Sequence, residues 1–163
     1  MVHKIKVLLP VIIATIVLGI FGVIYMPQSI KNKNLDFPIG TIRINNKMIK
    51  VEIADTPSDR QRWLTFREDK LPFDTAMLIV YDKLDLYSLW LLNIRFNLDL
   101  IWINNYGDVV YIAKNVSGCQ NTLDASYCTY KNTKPAKYII ATSAGFIDMH
   151  KITNDTKVHI ISI

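Results

Sequence analysis

Nineteen consecutive residues carry no charge, VLLPVIIATIVLGIFGVIY from Val7 to Tyr25, and this run constrains the chain more than any other feature. As a helix it reaches about 28 Å, close to the roughly 30 Å of bilayer hydrocarbon. Pro10 falls in the first turn, where a missing N–H costs little. A buried helix of a soluble core needs a shell of protein around it, and a chain of 163 residues has too little left to supply one. A cleaved signal peptide has an apolar region of about 7–15 residues followed by a small-x-small site. Here the run is longer, and YMPQSIKNK offers no Ala-x-Ala. The sequence therefore predicts an uncleaved signal anchor over residues 1–26, with the lipid bilayer as partner of residues 7–25. A polar linker over 27–38 and one domain over 39–163 follow. Lys4 and Lys6 precede the run and Lys31 and Lys33 follow it, so the positive-inside bias is slight.

The cysteines orient the domain. Cys119 and Cys128 are the only two, nine positions apart in the turn-rich stretch NVSGCQNTLDASYCTY. Two unrelated buried thiols are the alternative, but behind an anchor such a pair reads as a disulfide in an oxidising compartment. Asn115 and Asn154 each open an Asn-x-Ser/Thr glycosylation sequon. These features place the domain outside the cytoplasm, on a single-pass membrane protein. The net charge of +5 does not contradict this, because all fourteen acids lie at or beyond Asp36 and four of nineteen basic residues flank the apolar run. Fifteen basic against fourteen acidic residues leave the domain at +1, which gives a nucleic-acid partner no electrostatic support.

From Gly40 onward the hydrophobic period is mainly two. GTIRI and KMIKVEI read as a hairpin turned by Asn45-Asn46. Thr56 is a good N-cap, Pro57 suits the first helical position and Asp59 suits the helix dipole, predicting a short helix with Trp63, Leu64 and Phe66 inward. TAMLIVYD, Leu86–Leu92, Leu98–Asn104, Val109–Lys114, KYIIATS and KVHIISI follow as strands, with a second short helix at AGFIDMH. The expected fold class is mainly β (α+β): a compact, antiparallel-dominated barrel or sandwich of seven or eight short strands with two short helices, preceded by one transmembrane helix.

Both faces of Leu98–Ile103 are apolar, so that strand is expected to be central and covered on both sides. Asp99 is then at least partly buried and needs donors or a cation. Asn93 and Arg95 are the nearest in sequence, and Arg67 is a more distant choice.

The order and spacing of VEIADTPSDRQRWLTFRE, AMLIVY, LWLLNIRFNLDLIWINNYGDVV and PAKYIIATSAGF resemble domain-of-unknown-function family 192 (DUF192) over roughly residues 49–160. Asp55-Thr56-Pro57, Arg60, Leu64, Arg67 and Met77-Leu78 match its early motifs. Trp90, Asn93, Leu98 and Asp99 match its central signature, and Gly145 its late glycine. The resemblance implies a small β-rich, barrel-like domain and no established reaction. Trp63 stands where the family pattern has glycine, Thr65 where it has methionine, Ala76 glycine, Leu91 methionine, Ile94 threonine and Asn97 proline. These departures remove polar groups and space around the pocket the signature implies.

The best candidate cluster is Arg67, Asn93 and Asp99 with Trp90 as a wall. The competing reading is a buried structural network tying the helix to the sheet. An Asp acting alone needs a raised pKa or a second acid, and neither Asp55 nor Glu68 is spaced to serve. No metal site is expected: His3, His150 and His159 lie apart, without HxH or HExxH spacing, and Met149-His150 is better read as a helix-end cation than as a copper site. No phosphate loop or catalytic triad is visible, so no cofactor is expected. Seven tyrosines beyond residue 80 suit interfaces as well as strand packing. The leading expectation is a binding or accessory subunit of a membrane protein assembly, with other membrane protein subunits as partners and no catalysis of its own. The alternative is a small-ligand-binding or hydrolytic domain using the Arg/Asn/Asp cluster.

Overall fold

Alternating side chains build most of the architecture. In the computed structural model, which describes Pro10, residues 13–20 and residues 37–163, β1 (Ile39–Ile44) turns Ile42 and Ile44 into the same core as Ile49, Val51 and Ile53 of β2 (Lys47–Ala54). The turn between them holds Asn45 and Asn46 at φ 46° and 65°. A tight two-residue hairpin needs two left-handed residues, and Asn tolerates them at low cost.

Helix α1 (Pro57–Arg62) starts as expected, with the Thr56 hydroxyl accepting the Asp59 N–H at 3.1 Å and Pro57 in its first turn. Trp63 and Leu64 then point inward. Phe66 does not: it sits at φ 62°, exposed, with its N–H on the Asn93 carbonyl at 3.0 Å, because the helix has already ended. The chain returns as β3 (Thr75–Asp85), parallel to β2. The other strand pairings of this sheet are antiparallel: β8 (Ala136–Ser143) lies between β3 and β5 (Leu98–Ile103), β6 (Val109–Val116) flanks β5, and β9 (Val158–Ser162) flanks β1. The strand order is β6-β5-β8-β3-β2-β1-β9.

This is an open mixed sheet, not the closed barrel or sandwich expected from strand number and alternation. Its edges meet at one point, the Asp108–Lys157 bridge, with Val158 N–H on the Gly107 carbonyl at 2.8 Å. The ladder cannot lengthen there. Opposite β6 lies the turn at Asn154-Asp155, and opposite β9 lies the turn before Asp108, so the two strands run away from each other. Gly107, at φ 86°, allows even this contact, since a Cβ on it would stand 2.1 Å from the Val158 oxygen.

One face of the sheet is covered by α2 (Phe146–Met149), whose Phe146 and Ile147 join the isoleucines of β1 and β2. On the other face Leu98, Leu100 and Trp102 are fully buried too, so β5 is covered on both sides as its composition predicted. The predicted strand at Leu86–Leu92 shortens to β4 (Ser88–Trp90), which leaves the large sheet and pairs with β7 (Thr129–Lys131). Ahead of β7 a 3-10 helix, Thr122–Tyr127, fills the loop closed by the Cys119–Cys128 disulfide, whose Cα atoms are 5.8 Å apart. Residues Phe37–Ile163 pack as one unit. Pro10 and residues 13–20 are helical, and the rest of the expected span over 7–25, with the linker up to Asp36, lies outside the described residues. Among the described residues no helix is long and apolar enough to cross a membrane.

Candidate functional site

Asp99 is 1% exposed, and its carboxylate is filled by backbone donors. Oδ1 accepts the Asn115 N–H at 2.8 Å, while Oδ2 accepts those of Gly145 at 3.0 Å and Ile147 at 2.9 Å. Local geometry aims these donors. The β5–β6 register slips between Leu98 and Leu100, and Asn115 opposite adopts φ 50°. Gly145, at φ 96°, begins α2 without a side-chain cap of its own. Asp99 supplies that cap from a strand, answering N–H groups that a helix start leaves unpaired.

The predicted partners are elsewhere. Arg67 forms a two-pronged pair with Glu52, at 2.6 and 3.0 Å, fastening the segment after α1 to β2. Arg95 pairs with Glu68 at 2.6 Å. Asn93 contributes its backbone, at φ 57°: its N–H bonds the Cys119 carbonyl at 2.7 Å and its carbonyl holds Phe66. Arg67, Asn93 and Asp99 therefore do not share a site. The physical reason is that Asp99 finds three main-chain donors before any side chain reaches it. Trp90 is separate again, 42% exposed.

Trp90 walls a different feature, a cleft of about 420 Å³ between α1, the far end of β3 and β4. Trp63, Tyr81, Leu89 and Leu92 add to the apolar wall, with Arg60, Thr65 and Ser88 among the polar lining. Tyr81 stacks on Tyr87 with ring centroids 3.6 Å apart and planes 9° off parallel. The Arg60 guanidinium lies 5.3 Å from the Tyr81 ring centre. Its Nη1 donates to the Asp55 carbonyl and, at 2.8 Å, to the Val80 carbonyl. Among the described residues no carboxylate pairs with Arg60. Burial raises the Tyr81 phenol above its ordinary pKa of 10.0, a rise that Arg60 partly offsets and Tyr87 adds to.

The family resemblance marks Arg60 without implying a role for it. A signal was present: no position three or four residues from Arg60 is acidic, so the helix gives it no ion-pair partner. Trp63, where the family pattern has glycine, turns that part of α1 into a wall.

The remaining predicted positions are scattered. Asn115 and Asn154 are both exposed. Cys119 and Cys128 are bonded to each other. His150 is buried at the end of α2, its Nε2 3.0 Å from the Phe73 carbonyl and its Nδ1 without a partner among the described residues. Among the described residues no three His, Cys, Asp or Glu converge on a point where a metal could bind.

Residues 40–160 match the family model of DUF192, described as "Uncharacterized ACR". Two crystal structures share the fold. A candidate transcription regulator from Sinorhizobium meliloti is 19% identical with a TM-score of 0.69, the match covering 78% of this chain and 97% of that one. A protein of unknown function from Novosphingobium aromaticivorans is 19% identical with a TM-score of 0.68, covering 77% and 88%. No curated protein matches the chain.

Proposed function

The chain belongs to the DUF192 family, and from that premise we propose that residues 39–163 are a non-catalytic binding domain engaging a partner through the cleft walled by Trp63, Tyr81 and Trp90. The observation that carries this is Arg60: a cation with no carboxylate partner among the described residues, set over the Tyr81 ring in the cleft. An exposed Trp90 and a half-buried Tyr81 beside an Arg are the composition of interface anchor points. The disulfide and the apolar amino-terminal run favour a domain held outside the cytoplasm on a single membrane anchor, which makes other membrane protein subunits the favoured partners. A hydrolytic role for Asp99 gains no support, because both of its oxygens already accept N–H groups and it is 1% exposed.

The test is photocrosslinking in cells. Full-length protein carrying benzoylphenylalanine in place of Trp90 should yield a discrete adduct that the same probe at Leu123, 86% exposed on the disulfide loop, does not give. Equal yields at the two positions, or none at either, would overturn the reading.

A further inference from the structure

Strand β4 has one edge occupied and one edge open. Leu89 lies opposite Tyr130, and the Leu91 N–H reaches the Cys128 carbonyl at 2.9 Å. The Tyr87 N–H reaches the Asn132 side chain at 2.8 Å in the same register. Further on, the Leu91 carbonyl accepts the Cys119 N–H at 3.1 Å. Residues 87, 89 and 91 thus direct their main-chain groups towards β7 and the disulfide. In an extended strand the alternate residues direct theirs the opposite way. The main-chain groups of Ser88, Trp90 and Leu92 therefore face away from β7, and these three residues line the cleft. The Leu92 N–H has no partner among the described residues.

We infer that this edge takes an extended, carboxylate-bearing peptide as an added strand, an inference that rests on the cleft being the binding site. The spacing suits the mode: main-chain groups repeat at every second residue along β4, and between them the cleft offers apolar walls for alternate side chains. Charge complementarity selects the carboxylate. Among the described residues Arg60 keeps Nε and Nη2 free of hydrogen-bond partners, while Nη1 is held by two carbonyls that fix the fork in place. Asp82 and Asp85 act electrostatically on Tyr87 but form no ion pair with Arg60. A peptide acid can come from an Asp or Glu side chain or from a free carboxy terminus, and either offers the two oxygens that a guanidinium fork matches.

The experiment is affinity selection on immobilised full-length protein in detergent micelles. The probe is a pool of acetylated, amidated heptapeptides with a central Glu, randomised at the alternate positions. Retention of the Glu pool should exceed that of a central-Gln pool by about fivefold or more. N-methylation of alternate amides should abolish retention, since it removes the strand's donors. A central-Gln pool with a free carboxy terminus decides whether a terminal acid serves as well: retention restored admits either source, retention still lost confines it to the side chain. Trp90→Ala should lose retention while keeping the wild-type unfolding midpoint, because Trp90 is half exposed. Glu, Gln and N-methylated pools retained alike, or none retained, would overturn the inference. A crosslink at position 90 in cells with no pool retained would remove the peptide and leave the cleft; absence of both would remove both.

Discussion

Asp99 shows what a single residue can and cannot disclose. Its burial was legible, because alternation along Leu98–Ile103 puts apolar residues on both of its faces. Its partners were not, since a register slip and two left-handed residues aim backbone N–H groups at it, and none of these leaves a mark in composition. The consequence is structural. Asp99→Asn replaces one oxygen with an amide that must face a donor, losing one or two charge-assisted bonds, each worth about 1.5–3 kcal/mol. Chemical denaturation should show a loss of roughly 2–4 kcal/mol, with retention of the peptide pools unchanged. A loss of binding without a loss of stability would return Asp99 to the functional site. Tyr81 carries the pH signature. Burial raises its pKa, so the folded state holds the phenolic proton more tightly than the unfolded chain does. That contribution is complete below pH 10.0 and fades as pH rises through the higher folded value. Urea midpoints should fall as pH rises above 10.0, and fall less in Tyr81→Phe.

At the scale of elements, the hairpin at Asn45-Asn46, α1 from Thr56 onward and α2 were readable because each begins with residues whose backbone preferences are strong. Strands β4 and β7 were not. The run Leu86–Leu92 alternates like any strand of the main sheet, and only the disulfide loop, which brings Cys128 and Tyr130 beside it, sends it to a sheet of its own. Gly118 makes that approach feasible, since a Cβ there would stand 2.5 Å from the Ile94 oxygen. Removing the cross-link by the Cys119→Ser, Cys128→Ser pair should therefore cost roughly 2–3 kcal/mol by loop entropy. It should also release β7 from β4, read as faster amide exchange at Leu89 and Leu91 with Ile101 unaffected. The edge contact gives a second test. Gly107→Ala meets both an unfavourable φ and the Val158 carbonyl, so it should lower stability by about 2–3 kcal/mol. Thermal melting of this variant against Gly40→Ala, whose added Cβ would meet the Ser162 oxygen at 2.3 Å without a positive φ, separates backbone strain from crowding.

Across the whole molecule, the mainly β, mainly antiparallel character followed from hydrophobic period, but the count did not: nine strands form where seven or eight were expected, and openness depended on which strands run past each other at Asp108–Lys157. That is a long-range matter no local pattern encodes. Function divides the same way. Buried Asp99 and half-buried Glu52 tie elements together, and the proposed recognition site is a cleft whose cation and aromatics come from α1, β3 and β4. The most direct measurement is amide hydrogen exchange of the full-length protein in the membranes of the cells that make it, set against the purified protein in micelles. The account predicts fast exchange at Trp90 and Leu92 in the purified protein and marked slowing of both in the membranes, with Leu89 and Leu91 slow throughout. Identical exchange at Trp90 and Leu92 in the two preparations would contradict it.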